Sequence, residues 1–440
     1  MPSRRIDACW AVTALAAGLV PLGLVTSDSL WLVPLGRLVA HGELPSSLPY
    51  STAATRGWHD VPALAELLLW SFYSLLGDRG LLLLQMLAAT VGWATLAHGL
   101  RRQGSSEGSS SLVALLVVVG CLPVLLNTRS YLFSLTLFPM LWYLIEEDGR
   151  QPSRRLWLAV PLLALWSNLH GAVLVGWVVL LIYLALSRLR RDPGTTVLLA
   201  LSATAALSLT AALWETPSYY WNVLGNEAAH RHIGLWGRLS LNWPSLLLAG
   251  SAIVLLVFAL RGRPARWESV LVVALGLGTI YAARIGPWLL FVCSYPAARG
   301  IRLRDRSRRP RFTLTVIVIL LALALISLGR VPRDAGAGAL AHQAAESGLP
   351  VLASDFAAEQ VEADGGRVWV ANPIDAFGHA DQSLYLDWLT GKQSGERAVI
   401  RAGLILVPTN SPQGRAAAHD PRLHRLRTHL GYALYRVRKR

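Results

Sequence analysis

The sequence predicts an all-α polytopic membrane protein with about 11 transmembrane helices, ending in a small C-terminal α/β domain outside the membrane. Three observations carry this prediction. Of 440 residues, 53% are hydrophobic and only 15% are charged, with a mean hydropathy of +0.43, beyond what a soluble domain of this size carries. The apolar residues fall in runs long enough to cross a hydrocarbon core of about 30 Å at about 1.5 Å per helical residue. After Leu328 the character changes, and polar residues surround short strand-like stretches.

The first run covers residues 8–25 behind Arg4 and Arg5. No small-x-small cleavage pattern precedes Asp28, so an uncleaved first span is expected. Further runs follow at 80–100, 112–126, 131–145, 156–168, 172–187, 195–213, 244–260, 267–283, 286–298 and 312–328. Residues 62–77 are apolar but short and carry Glu66, which suits a juxtamembrane helix on the outer surface.

The arginines test this count. Arg4/Arg5, Arg101/Arg102, Arg150/Arg154/Arg155, Arg188/Arg190/Arg191, Arg261/Arg263/Arg266 and the dense run 299–311 all fall on one side when the spans alternate. That is the positive-inside pattern of a bacterial inner-membrane protein with a cytoplasmic N-terminus. Treating 62–77 as a span would reverse every later cluster.

Two regions are therefore expected. Residues 1–330 form the transmembrane domain, with outer loops at 27–79 and 214–243, and residues 331–440 form the extracytoplasmic domain. A Gly-rich joint at 334–340 leads into strands at VLAS (from Val351), RVWVA (from Arg367), AGLILVP (from Ala402) and YALYRV (from Tyr432). The formal net charge of +15 does not indicate nucleic acid, because the basic residues lie in short clusters between apolar runs and not on one aromatic-interleaved face. Cys9, Cys121 and Cys293 sit inside apolar runs at unrelated spacings, which suggests neither a disulfide framework nor a thiolate metal site.

On this topology the outer side holds the mixed, reactive side chains: Asp28, Arg37, His41, Glu43, Arg56, His59, Asp60, Arg129, His170, Glu215, Glu227, His230, Arg231, His232, Arg238 and Arg284. Charge near hydrocarbon is costly, about 2.5–3.5 kcal/mol at the bilayer centre, so these residues either snorkel or serve an outward-facing site. Arg129 in NTRSY and Arg284 in AARIGP suit a lipid or substrate phosphate through charge-assisted hydrogen bonds. Glu227, His230 and His232 in GNEAAHRHIG have metal-ligand chemistry, but a loop of undefined geometry makes them weak candidates and no metal is assigned. Trp31, Trp58, Trp214, Trp221, Trp236 and Trp243 read as an interfacial belt, with one or two available to stack on a sugar ring.

The order of motifs resembles bacterial GT-C type membrane glycosyltransferases of the protein mannosyltransferase plan, as a divergent, actinobacterial-type member. The matching stretches are Asp28 closely following the first span, HGELPSSLPYS from His41, RGWHD from Arg56, TRSYLFSLTLF from Thr128, LWSNLHGAVLVG from Leu165 and AARIGPWLLFVCSYP from Ala282. VWVANPIDAF from Val368 and DQSLYLDWL from Asp381 complete the series. The chain departs from the pattern at Leu32 and Val33, at Val61-Pro62 and at Leu235-Trp236.

The resemblance implies a sugar donor on a polyprenyl phosphate carrier and an envelope protein or glycan as acceptor, with the lipid bilayer as surroundings. It implies that Asp28 takes the acceptor's proton or helps hold a divalent metal, no cofactor being certain. It gives Arg129 or Arg284 the departing lipid phosphate, and places Asn168 and His170, with Arg37, His59 and Asp60 nearby, around the substrate. The alternative is a catalytically silent relative that binds a lipid-linked substrate or an envelope partner.

Overall fold

The computed structural model describes residues 8–26, 28–55, 57–303, 310–329 and 335–438. Arg4, Arg5, Ser27, Arg56, the middle of the 299–311 run, Asp334, Lys439 and Arg440 lie outside the described residues. The chain divides into two compact units, one of Met1–Gly23, Leu82–Thr210 and Leu235–Val331, the other of Leu24–Leu81, Ala211–Gly234 and Pro332–Arg440.

The first unit is helical, and each predicted apolar run carries a helix. In chain order these include Ala8–Leu19, Asp78–Arg102, Glu107–Gly120, Tyr131–Arg150, Ala159–Ser167, Val173–Tyr183, Pro193–Ala206, Trp243–Arg261, Arg266–Tyr281, Gly286–Gly300 and Pro310–Ser327. Among the described residues, Asp78–Arg102 and Trp243–Arg261 are by themselves long and apolar enough to cross a membrane. Several starts are capped as the sequence dictates: Ser106, Asp192 and Asn242 accept the backbone N–H three residues on, satisfying donors that a helix N-terminus leaves open.

Two helices of this unit approach backbone to backbone. A Cβ on Gly300 would run into the Phe258 carbonyl, and one on Gly262 into the Pro296 carbonyl, so the crossing of Trp243–Arg261 with Gly286–Gly300 depends on both glycines. Gly286–Gly300 is the central helix: Trp288, Phe291 and Tyr295 are at most 1% exposed. Their rings meet Trp93, Phe138, Trp142 and Trp166 at centroid distances of 5.0–6.5 Å, a geometry that adds about 0.5–1.5 kcal/mol per pair beyond burial.

At one end, buried ions tie the helices together. Arg299 reaches Glu268 at 2.5 and 2.7 Å and Glu146 at 3.6 Å, while Gln103 donates to Glu146 at 2.9 Å. Asp148 accepts from Tyr183 at 2.6 Å and pairs with Arg188 at 3.1 Å. Two of the arginines that read as plain topology signals, Arg188 and Arg299, are thus also bonded to buried carboxylates.

In the second unit the 27–79 interval, expected as a loop ending in one helix, contains two: Asp28–Ala40 and Ala63–Leu76. They pack so closely that a Cβ on Gly36 would collide with the Glu66 carbonyl. The C-terminal part is an α/β sheet in the spatial order Val351–Ala353, Leu404–Pro408, Tyr432–Val437, Leu423–His429, with the first pair parallel and the others antiparallel. Helices Ala335–Glu346 and Asp355–Ala363 cover it through Leu340, Ala344, Ala357 and Val361, packed with Leu404, Leu406 and Leu434.

Three of the four predicted strands form. The fourth, RVWVA, makes only single bridges from Val368 to Val351 and Ser51. There the early segment joins the sheet: Thr52 donates to the Val368 carbonyl at 2.8 Å and Val368 to that of Tyr50 at 2.9 Å. The Gly-rich joint is helical from Ala335 onward.

Candidate functional site

In the second unit one tyrosine lies within the electrostatic reach of two predicted carboxylates and a third. Asp28 opens the helix Asp28–Ala40, where the partial positive charge of a helix N-terminus favours a carboxylate. Asp60 lies in the irregular stretch before Ala63–Leu76. Tyr219, on the helix Thr216–Leu224, interacts with Asp375, Asp60 and Asp28. Burial above all, then Asp375, the neighbouring Tyr220, Asp60 and Asp28, hold its hydroxyl well above the ordinary tyrosine range. It therefore remains a proton donor among carboxylates.

Tyr219 lines a cavity of about 140 Å³ together with Trp58, His59, Asn222, Asp375, Phe377, His379 and Gln382. Each imidazole is backed by a glutamate: His59 Nε2 is 3.7 Å from Glu215 and His379 Nδ1 is 3.3 Å from Glu227. Gln382 is immobilised, donating to the Phe377 carbonyl at 2.7 Å and accepting from the Glu227 amide at 2.9 Å. Trp58 Nε1 is buried without a hydrogen-bond partner. Carboxylate, carboxamide and imidazole groups beside aromatic rings are what a hydroxylated ring requires: hydrogen bonds at its edge and an apolar surface for its C–H face.

Behind Asp60 stands Glu66, and the two carboxyl groups are 6% and 0% exposed. No protein donor reaches either carboxyl group, and the two acids act on each other, a protonated Glu66 serving as donor to Asp60. Burial, partly offset by that hydrogen bond, pushes Asp60 from its ordinary 3.8 to about 6. Glu66 rises well above the usual range through burial first, then the Asp60 charge and the hydrogen bond it donates.

Other predicted residues go elsewhere. Arg37 is exposed in the last turn of its helix, and its carbonyl accepts from His41 Nδ1 at 2.6 Å. Glu227 binds Arg231 at 3.0 Å as well as His379. His230 is exposed, and His232 ends its helix in the left-handed conformation, with φ 54°. Among the described residues no group of three or more His, Cys, Asp or Glu is arranged to hold a metal ion.

In the first unit, a second tyrosine gathers three more predicted residues. Tyr131 stacks on Trp288 at 5.0 Å, meets the His170 ring edge-on at 5.4 Å and donates to the Arg284 carbonyl at 3.2 Å. The charges of Arg284 and Arg129 both act on its hydroxyl. Arg284 also lies over the Trp236 ring, 4.6 Å from its centroid, a cation–π contact that orients the guanidinium. Asn168 instead spends its amide on the carbonyls of Ala164 and Leu209, at 2.8 and 2.6 Å, and ties two segments together.

The residues not foreseen are Tyr131, Tyr219, Asp375, His379 and the pairing role of Glu66. Glu66 had a signal, a lone carboxylate in ALAELLLW. Tyr219 and Asp375 had none, because their neighbours come from distant parts of the chain.

No family model and no curated protein sequence matches the chain. Among solved structures it is similar to the crystal structure of ArnT from Cupriavidus metallidurans in the apo state, at 13% identity and a TM-score of 0.55 over 97% of this chain and 96% of that one. It is also similar to ArnT from the same organism bound to undecaprenyl phosphate, at 11% identity and a TM-score of 0.51 over the same shares. At these identities the likeness shows a shared fold, which is GT-C-like.

Proposed function

We propose that this protein transfers a sugar from a polyprenyl phosphate carrier to an envelope acceptor at the outer face of the bacterial inner membrane. The observation that carries the reading is the polar, aromatic cavity lined by Trp58, His59, Tyr219 and Asp375, whose tyrosine lies within the electrostatic reach of Asp60 and Asp28. The fold it shares with ArnT, one structure of which holds undecaprenyl phosphate, supports the carrier.

In this reading the Asp28 carboxylate takes the proton of the acceptor hydroxyl as its oxygen bonds to the anomeric carbon. The bond from that carbon to the carrier phosphate breaks, and the electron pair leaves with the phosphate. Arg129 and Arg284, both acting on Tyr131, would neutralise the charge that develops there. Tyr219 and His59 would hold the ring hydroxyls, while the buried Glu66 holds Asp60 in place.

Asp28→Asn keeps the shape of the side chain and removes the base. In proteoliposomes supplied with an undecaprenyl phosphate-linked sugar, transfer is expected to fall about 10²- to 10⁴-fold, with expression and melting unchanged. Wild-type transfer by this variant would remove Asp28 from the role. Absence of turnover by the wild-type protein, with lipid-linked sugar still bound, would favour the silent binding protein. The eleven-span topology would be tested by cysteine accessibility at inner and outer loop positions.

A further inference from the structure

The last two strands of the second unit, Leu423–His429 and Tyr432–Val437, form a hairpin in which His429 pairs with Tyr432. Leu430 and Gly431 therefore make a two-residue turn, and both have positive φ, 41° and 85°. Such a turn prefers Asn, Asp or Gly at its first central place, because a larger L-residue is strained there. The chain nonetheless places a leucine in it, 68% exposed. The backbone of the turn is seated against Gly336, where a Cβ would come within 2.7 Å of the Leu430 carbonyl. Packing inside the unit thus fixes the turn without using most of the leucine side chain.

The charges around this turn have one sign. Residues 421–440 include six arginines and one lysine but no Asp or Glu. Arg422 pairs with Asp420 at 2.6 Å. Arg425, Arg427, Arg436 and Arg438 are exposed, and among the described residues no carboxylate pairs with them. Leu423–His429 is an edge strand of the sheet, and its bulge between Arg425 and Arg427 leaves Leu426 43% exposed.

These features narrow the partner. A bulged edge lined with arginine resists the addition of another strand, and a second copy would bring like charges together. A soluble polyanion would match the arginines but leave both leucines in water. An anionic bilayer surface matches both, taking the arginines at its headgroups and the leucines just beneath them.

We propose that this hairpin rests on the lipid surface, Leu426 and Leu430 entering between headgroups while Arg425 and Arg427 bind anionic phospholipid. The proposal does not depend on the glycosyl-transfer reading.

The test places the full-length protein in nanodiscs of phosphatidylcholine, alone or mixed with phosphatidylglycerol, with an environment-sensitive fluorophore on Leu430→Cys. The three native cysteines are buried, which directs labelling to position 430. In anionic discs the emission is expected to rise about twofold or more and to be quenched by lipids spin-labelled just below the headgroup. Arg425→Gln with Arg427→Gln is expected to return the signal toward that of neutral discs, as is high salt. In neutral detergent Leu430→Asn is expected to melt at or above wild type, since it supplies a residue that the turn prefers. A label that stays in water in anionic discs, a signal indifferent to the two arginines, or a Leu430→Asn protein that melts below wild type would overturn the proposal. The same emission change on adding soluble polyphosphate to neutral discs would also overturn it, in favour of a soluble polyanion.

Discussion

The Ser134 hydroxyl lies 2.8 Å from His170 Nδ1, and the Ala172 amide reaches the same nitrogen at 3.2 Å. An amide N–H can only donate, so Nδ1 carries no proton and Nε2 carries it. Trp166 Nε1 donates to Ser134 at 2.8 Å, which directs the serine proton onward to His170. The ring facing Tyr131 is therefore held in one tautomer by a buried chain of three donors. Ser134→Ala leaves the Trp166 N–H unpaired and is expected to cost about 1–3 kcal/mol. Thermal unfolding in detergent measures the loss, and ¹⁵N chemical shifts of His170 report the tautomer; Nδ1 found protonated would refute the chain.

The Asp60–Glu66 pair makes stability depend on pH, and the sign follows from the direction of the shifts. Folding raises Asp60 from 3.8 to about 6 and raises Glu66 further, so the folded state holds protons more tightly than the unfolded state. The stabilising contribution is complete below about 3.8 and is lost as pH rises through about 6. Wild-type melting temperature should accordingly fall as pH rises from about 4 through about 6, with Glu66 extending the fall to higher pH. Glu66→Gln keeps a donor for Asp60 without the second ionisation, and its slope should be flatter. Parallel slopes for the two proteins would argue against a shared proton.

Arg129 and Arg284 act on one hydroxyl, that of Tyr131, although 155 positions separate them in the chain. If they receive the carrier phosphate, Arg284→Gln should weaken undecaprenyl phosphate binding about 10- to 100-fold through loss of a charge-assisted contact. Arg284→Lys should recover only part of it, since an ammonium does not reproduce the planar fork. Quenching of Trp236, over which Arg284 lies, provides the binding signal. Unchanged affinity in the Gln variant would leave Arg284 as an anchor only.

Arg299 holds two buried carboxylates, Glu146 and Glu268. Arg299→Met should destabilise the helical unit by about 3–5 kcal/mol, because both acids lose their charge partner. Glu268→Gln combined with Arg299→Met should recover a large part of that loss. Chemical denaturation in mixed micelles distinguishes the cases, and a single Met variant as stable as wild type would show that the pair contributes little.

The helices of the first unit were legible because each apolar run announces itself without reference to the others. Glu107–Gly120 and Pro193–Ala206 begin a few residues ahead of their apolar runs, at the side-chain caps Ser106 and Asp192, which hydropathy does not mark. The strand at RVWVA shrank to single bridges because an alternating pattern does not specify which neighbours complete a sheet; here Ser51, from the early segment, takes one side of Val368. The two helices within 27–79 were only half visible. Ala63–Leu76 has an apolar signal, whereas Asp28–Ala40 carries Pro34 and Gly36, which weaken a helical reading until its partner helix is in place.

The polar residues divide the same way. Asp28, His59, Asp60, Arg129, His170 and Arg284 stood out as charges and polar groups at the ends of apolar runs, a cost that the chain alone reveals. Their company did not. The charges of Asp28, Asp60 and Asp375 all act on Tyr219, and those of Arg129 and Arg284 on Tyr131, although well over a hundred residues of chain separate the first two aspartates from the third and the two arginines from each other. Hydropathy is a local property, so the amino-acid order by itself determined the apolar runs and the helices they form. Convergence of charges is a property of packing, so only the tertiary structure decided which of them share a site.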